Sequence, residues 1–265
     1  MKTRIRPSAI VWLLLAAAYF IIPLVATLLF SLNKLSTGKC CSAHAYGTIL
    51  HDSAFWQNLK TSAVLGVETI AISLVLFVPT IYLVHLKLPK LRPLLAFLAL
   101  IPFVVPPIVM VIGLLDFYKG SPSWFYAQPW GFLATAYVIL AFPYMYFSLD
   151  AGYRSIDIHT LTEASQSLGA SWPRTLLTVI LPNIRSAALA GSFLTLAIVM
   201  GEFTIASLAA FHTFPIYIQS IEESEAYPAA AVTLISFGIT WAAMLSLLVI
   251  GRKRGARGAL IAGAR

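Results

Sequence analysis

The sequence predicts an all-α integral membrane protein with six transmembrane helices and both termini on the cytoplasmic side. Three observations carry this. Of its 265 residues, 59% are hydrophobic and only 11% charged, at a mean hydropathy of +0.85. A soluble domain carries about a quarter of its residues charged, so lipid must be the solvent for much of this chain. Six stretches approach the roughly 20 apolar residues that cross about 30 Å of hydrocarbon. The basic residues, finally, sit at the ends of those stretches and mostly on alternate sides.

The six stretches lie at about 8–32, 61–84, 93–115, 131–151, 184–208 and 229–250. The first follows Met1-Lys2-Thr3-Arg4-Ile5-Arg6. It is too long for the apolar core of a signal peptide, and no small-x-small site follows it cleanly, so it reads as a retained span. The third contains Ile101-Pro102 and Pro106-Pro107, which predict a bent helix packed inside a bundle, where neighbours repair the lost backbone bonds. With the N-terminus inside, Lys2, Arg4, Arg6, Lys87, Lys90, Arg92, Arg154, Arg174, Arg185, Arg252, Lys253, Arg254, Arg257 and Arg265 all fall inside. Of the 18 basic residues, only Lys34, Lys39, Lys60 and Lys119 fall outside. The net charge of +8 therefore reads as membrane orientation and not as nucleic-acid binding, for which no basic-aromatic module is present. Cys40 and Cys41 are adjacent; they match no zinc spacing and cannot build a disulfide framework, and they read as incidental thiols of a surface loop.

The inside loop of about 152–183 is the one long enough to hold structure of its own. Thr160-Leu161-Thr162-Glu163 fits a capping box, with Thr160 as N-cap and Glu163 reaching back. Ile158, Leu161, Ala164 or Ser165, and Leu168 recur at helical spacing and give one modestly apolar face. Gly169 fits a left-handed C-terminal stop. Ser171 then opens a second helix with Pro173 in its first turn, running back to Pro182. The predicted shape is a short helix, a glycine turn and a returning helix. From the residues alone it suits either a rigid knob inserted in a partner's groove or an interfacial pair lying on the membrane.

Glu163-Ala164-Ser165-Gln166-Ser167-Leu168-Gly169, with Ile180-Leu181-Pro182 further on, resembles the EAA loop of permease subunits in bacterial ABC importers. Asn58 before span two, Pro106-Pro107, Gly201-Glu202-Phe203 and Ala229-Ala230-Ala231 look like the same family. Ser165 departs from its usual alanine and is small enough for the same groove. The resemblance implies a type I importer permease fold over 1–265, a single transmembrane domain with spans two to six as its core and span one reaching toward the other permease. It implies a multi-pass protein of the bacterial inner membrane. Its implied partners are an ABC ATPase dimer using ATP and Mg, a second and different permease chain, and an extracytoplasmic substrate-binding protein. Thr160, Leu161, Glu163, Ala164, Ser165, Leu168, Gly169 and Pro182 would form the ATPase-coupling surface. The chain has no G-x-x-x-x-G-K-[ST] phosphate loop, so ATP hydrolysis is expected in the partner, with no cofactor or metal here.

Ionisable residues within spans are functional candidates. Glu68 falls about 10 Å, and Glu202 about 9 Å, below the outer edge at 1.5 Å per residue. Together they suggest an acidic ring in the pathway, with Pro106, Pro107 and Phe203 as further lining candidates. Asp116, Glu222, Glu223 and Glu225 would add an outer acidic rim that concentrates cations. Either glutamate could instead pack helices or reach water, and the rim could contact the binding protein. The G-E-F and Pro-Pro features resemble the family's polyamine, iron, sulfate or molybdate, and thiamine branch. The acidity points to a small cation such as spermidine or putrescine, with ferric iron, an oxyanion or thiamine as alternatives.

Two other classes compete. An intramembrane enzyme needs a nucleophile, base or metal cluster, but H-E-x-x-H and G-x-S-x-G are missing, and His85, His159 and His212 read as isolated boundary residues. Ser31-Leu32-Asn33-Lys34 matches S-x-x-K, a pattern short enough to arise by chance. An ATP-independent channel or secondary transporter would often show repeated halves, which this chain does not.

Overall fold

The computed structural model describes residues 7–32 and 43–262, and among them every regular element is helical. Cys40-Cys41, the basic N-terminal residues, Lys34 and Lys39 lie outside the described residues. The helices are α1 (Pro7–Ser31), α2 (His44–His51), α3 (Ser53–Leu86), α4 (Arg92–Val104), α5 (Pro107–Phe117), α6 (Ser123–Tyr126), α7 (Ala134–Arg154), α8 (Ile158–Ser167), α9 (Trp172–Thr175), α10 (Leu181–Asn183), α11 (Arg185–Gly201), α12 (Thr204–Leu208), α13 (Phe214–Ser224) and α14 (Ala226–Ala262). Four are long and apolar enough to cross a membrane, or up to six spans if each of two bent pairs counts as one.

Three of the expected spans have different boundaries. Span two starts at Ser53, not near 61, because Asp52 caps the helix by accepting from the Ala54 amide at 2.8 Å. Asn58 and Lys60 therefore lie inside α3. Span three is not one bent helix. It breaks into α4 and α5, which meet at 103°. Consecutive prolines explain this: Pro106 forces Val105 into extended backbone (ψ 118°), and Pro107 opens α5 as its first residue. Span five was expected over 184–208, but α11 ends at Gly201 and a separate short helix follows.

The chain divides into two compact units, Met1–Gln57 with Tyr217–Ile239, and Asn58–Ile216 with Thr240–Arg265. In the first, the Ser31 and Tyr46 hydroxyls lie 2.7 Å apart, and Phe30 stacks on Tyr227 at 4.9 Å. The Tyr217 hydroxyl donates to Asp52 at 2.7 Å. Burial, then that hydrogen bond, pushes the Tyr217 phenol above its ordinary range. In the second unit α7 lies along α11. The approach is close because Gly152 stands where a Cβ would fall on that of Ala187. This unit holds two buried clusters. One joins Leu65, Val111, Phe132, Tyr137, Val199 and Ile205; the other joins Ile81, Tyr82, Met145, Leu149, Tyr153, Ile158, Leu176 and Ile180 under the loop that carries α8.

Candidate functional site

The segment between α7 and α11 forms the expected helix–turn–helix, with a different cap. Asp157, not Thr160, is the N-cap of α8: its carboxylate accepts from the Thr160 amide at 3.2 Å and the Thr160 hydroxyl at 2.7 Å. Those hydrogen bonds, the hydroxyl's first, hold the Asp157 carboxyl below its ordinary range. The box with Glu163 reaching back is not formed. Thr160 sits in the first turn, and Glu163 lies nearly a turn beyond it, exposed. Two capping residue types stood three positions apart, and the charged acceptor took the end of the helix.

The other end forms as the sequence predicts. Gly169 has φ +82°. The Ala170 amide donates to the Ser165 carbonyl at 3.2 Å, and the Gly169 amide to that of Gln166 at 2.9 Å. Those two bonds are the Schellman pattern. Ser171 then stands at the N-cap position of α9 in extended backbone, its side chain making no capping bond, and Pro173 lies in the first turn. The helix widens into a π-turn over Leu176–Ile180 just before Pro182, a residue with no amide hydrogen to give. Exposed Pro182 lies in α10, beside the 79° elbow that leads into α11.

The inward face of α8 is Ile158, Leu161, Thr162 and Ser165. Leu161 packs half-buried on the apolar cluster below, and the Ser165 hydroxyl lies 3.0 Å from that of Thr175. Glu163, Ala164, Leu168 and Gly169 face out, Leu168 at 89% exposure. Leu168, at the C-terminal end of α8, thus stays exposed in place of joining the packed stripe that Ile158 begins.

Beneath the loop the sequence reading missed a polar assembly. The Tyr82 hydroxyl stands 2.8 Å from Thr162 Oγ1, and Tyr153 donates to the Val78 carbonyl at 2.7 Å. His85 is not isolated: its Nε2 lies 2.7 Å from Asp150 Oδ1, Arg154 pairs with the other carboxylate oxygen at 2.8 Å, and the Arg92 guanidinium meets His85 Nδ1. Arginine only donates, so Nδ1 accepts and Nε2 carries the proton given to Asp150. His85 and Asp150 are separated by 65 positions. A charge within an apolar stretch was the available signal, and it marks Asp150 near the end of span four.

The acidic candidates differ in their surroundings. Glu202 is buried, and its carboxylate accepts from the Ile205 and Ala206 amides at 2.8 and 3.2 Å. It caps α12 in place of continuing a span, which explains why α11 stops. Glu68 is half-buried within α3. Phe203 follows Glu202 at 36% exposure, and Pro106 and Pro107 are exposed at the elbow between α4 and α5. Asp116 is exposed on α5. Glu222 and Glu223 are exposed on α13, with Glu225 just before α14, and the Gln219 side-chain amide donates to Glu223 at 3.0 Å. Among the described residues, no three His, Cys, Asp or Glu side chains gather as metal ligands.

Residues 85–254 match the family model described as binding-protein-dependent transport system inner membrane component. The chain is 30% identical over 173 residues to the spermidine/putrescine transport system permease protein PotB of Haemophilus influenzae, covering 60% of this chain and 59% of that protein. It is 26% identical over 214 residues to the molybdate/tungstate transport system permease protein WtpB of Methanocaldococcus jannaschii, covering 78% of this chain and 86% of that one. In fold it is similar to a bacterial ABC transporter involved in the import of the acidic polysaccharide alginate, with a TM-score of 0.66 and 17% identity over 90% of this chain and 92% of that one.

Proposed function

This chain belongs to the family of binding-protein-dependent transport system inner membrane components, and from that premise we propose that it forms half of the substrate pathway of an ATP-driven ABC importer. In this reading it sits in the bacterial inner membrane as six spans with both ends in the cytoplasm. The broken pair α4–α5 and the elbowed pair ending in α11 each count as one span. It pairs with a second permease chain, receives substrate from an extracytoplasmic binding protein, and is driven by an ABC ATPase dimer that hydrolyses MgATP. ATP closes the ATPase pair and moves the loop; the pathway then opens outward, and hydrolysis resets it.

The observation that carries this reading is the α8–turn–α9 unit. Its inward face is fixed to the bundle by Ile158 and Thr162 and to α9 by Ser165, while Glu163, Ala164, Leu168 and Gly169 are left free at a tip of defined shape. Exposed side chains on a rigid mount can be gripped and moved as one body. Affinity purification of the tagged chain from its own host tests it. The ATPase should copurify with the wild type and be lost from a Glu163→Ala/Leu168→Asp variant that still folds; retention by that variant sinks the docking role.

A polyamine is the first substrate reading, supported by Glu68 and by the Haemophilus relative. An oxyanion is the second, favoured by two observations. The Glu202 carboxylate is already committed to two backbone amides, and the molybdate/tungstate relative aligns over the larger share of the chain. Competition of uptake by spermidine and by molybdate separates them.

A further inference from the structure

We propose that Tyr82 and Thr162 are positioning residues of the energy-coupling step, a buried clasp that forces α3 to follow α8. The inference rests on the reading of the loop as the ATPase-docking element and names what fastens that element to the pathway.

Thr162 Oγ1 donates to the Ile158 carbonyl at 2.6 Å. Its one proton is thereby used, so the Tyr82 hydroxyl is the donor across the 2.8 Å gap. The result is a directed chain from α3 through two hydroxyls into the first turn of α8. Tyr82 is fully buried and Thr162 is 2% exposed, so water cannot take either place. The Trp172 ring packs against Tyr82 at 5.6 Å from the opposite arm of the loop. Tyr153, from α7, grips the Val78 carbonyl one turn from Tyr82 on the same helix. Apolar side chains alone would let α8 slide over this end of the bundle. A hydrogen bond holds only within a few tenths of an ångström and a limited angle. Displacing α8 therefore either carries α3 along or strands the buried Tyr82 hydroxyl, while Thr162 keeps its own bond to Ile158. Glu68 is borne on the same α3 helix, so the clasp links the loop to the helix holding a pathway candidate.

The test uses the complete importer, coexpressed with its ATPase and reconstituted in vesicles. Radiolabelled spermidine is the probe, or molybdate where the wild type carries that instead. Thr162→Val and Tyr82→Phe should keep the ATPase bound and hydrolysing at the wild-type rate, while transport per ATP falls about fivefold, as expected for a residue on a coupling network. Thr162→Ser, which keeps the hydroxyl, should restore coupling. Unchanged transport per ATP in both hydroxyl-deleted variants overturns the inference, as does a parallel loss of hydrolysis and uptake, the mark of a merely structural contact. A wild-type chain that binds no ATPase overturns the docking reading instead, before the clasp is tested at all.

Discussion

The hydroxyls of Ser165 and Thr175 meet at 3.0 Å across the two helices of the loop. Thr175 is fully buried, whereas Ser165 is half-buried. Ser165→Ala leaves a buried hydroxyl without its partner and should cost about 1 kcal/mol, more than Thr175→Val, which leaves Ser165 in reach of water. Hydrogen exchange of peptides spanning 165–175 should quicken roughly fivefold in Ser165→Ala. Equal protection in the two variants would show that the contact adds nothing.

Gly169 has open space around it, so its replacement acts through φ alone. Gly169→Ala should cost about 1–2 kcal/mol, and Gly169→Asn less, because asparagine tolerates the left-handed region. The yield of copurified ATPase should follow the order Gly, Asn, Ala, Val. A valine variant that retained the ATPase fully would dismiss the turn as a docking requirement.

Asp157 titrates below the ordinary carboxylate value of 3.8. A depressed folded value means the cap contributes at every pH above the unfolded value, and is lost only as pH falls through the lower one. The loop should be indifferent to pH between about 5 and 8 on this account. The Thr160 amide shift should move only under acid, and Asp157→Asn should abolish that movement.

Asp150 is buried between His85 and Arg154, and the Arg154 side chain is 62% exposed. Asp150→Ala should therefore lower stability by about 1–3 kcal/mol, since it leaves the buried imidazole N–H without an acceptor. Arg154→Ala should cost under about 1 kcal/mol. Thermal melts of the two variants in one detergent give the comparison, and similar melting points would contradict it.

Gly152→Val drives methyls into Ala187 and should cost about 1–3 kcal/mol by overpacking α7 against α11. Gly113→Ala, inside α5 with open space around its site, serves as the control and should melt no lower than the wild type.

Local chemistry was what the sequence could reveal. Gly169 announced its turn because no other residue takes that φ so cheaply, and Ser171 with Pro173 announced the next helix. The cap was misjudged because Asp157 and Thr160 satisfy the same rule, and only the fold decides which carries the helix end. Apolar periodicity passed over Thr162 and counted Ser165 only as a small residue of the stripe, whereas both hydroxyls matter through partners on other elements. Span five looked continuous because hydropathy ignores what a glutamate does to the backbone behind it. For the His85–Asp150 contact the charge of Asp150 within an apolar stretch was the one local sign, and nothing near it in the chain names a partner 65 positions away.

The elbow between α4 and α5 exposes Phe103, Val104, Pro106 and Pro107 around two helix ends. Such ends leave backbone carbonyls and amides without intrahelical mates. Acyl chains can neither donate to nor accept from them. The bilayer is therefore a forbidden neighbour for this corner, and a carbene-releasing fatty acid should label the outward residues of α1 while sparing Val104.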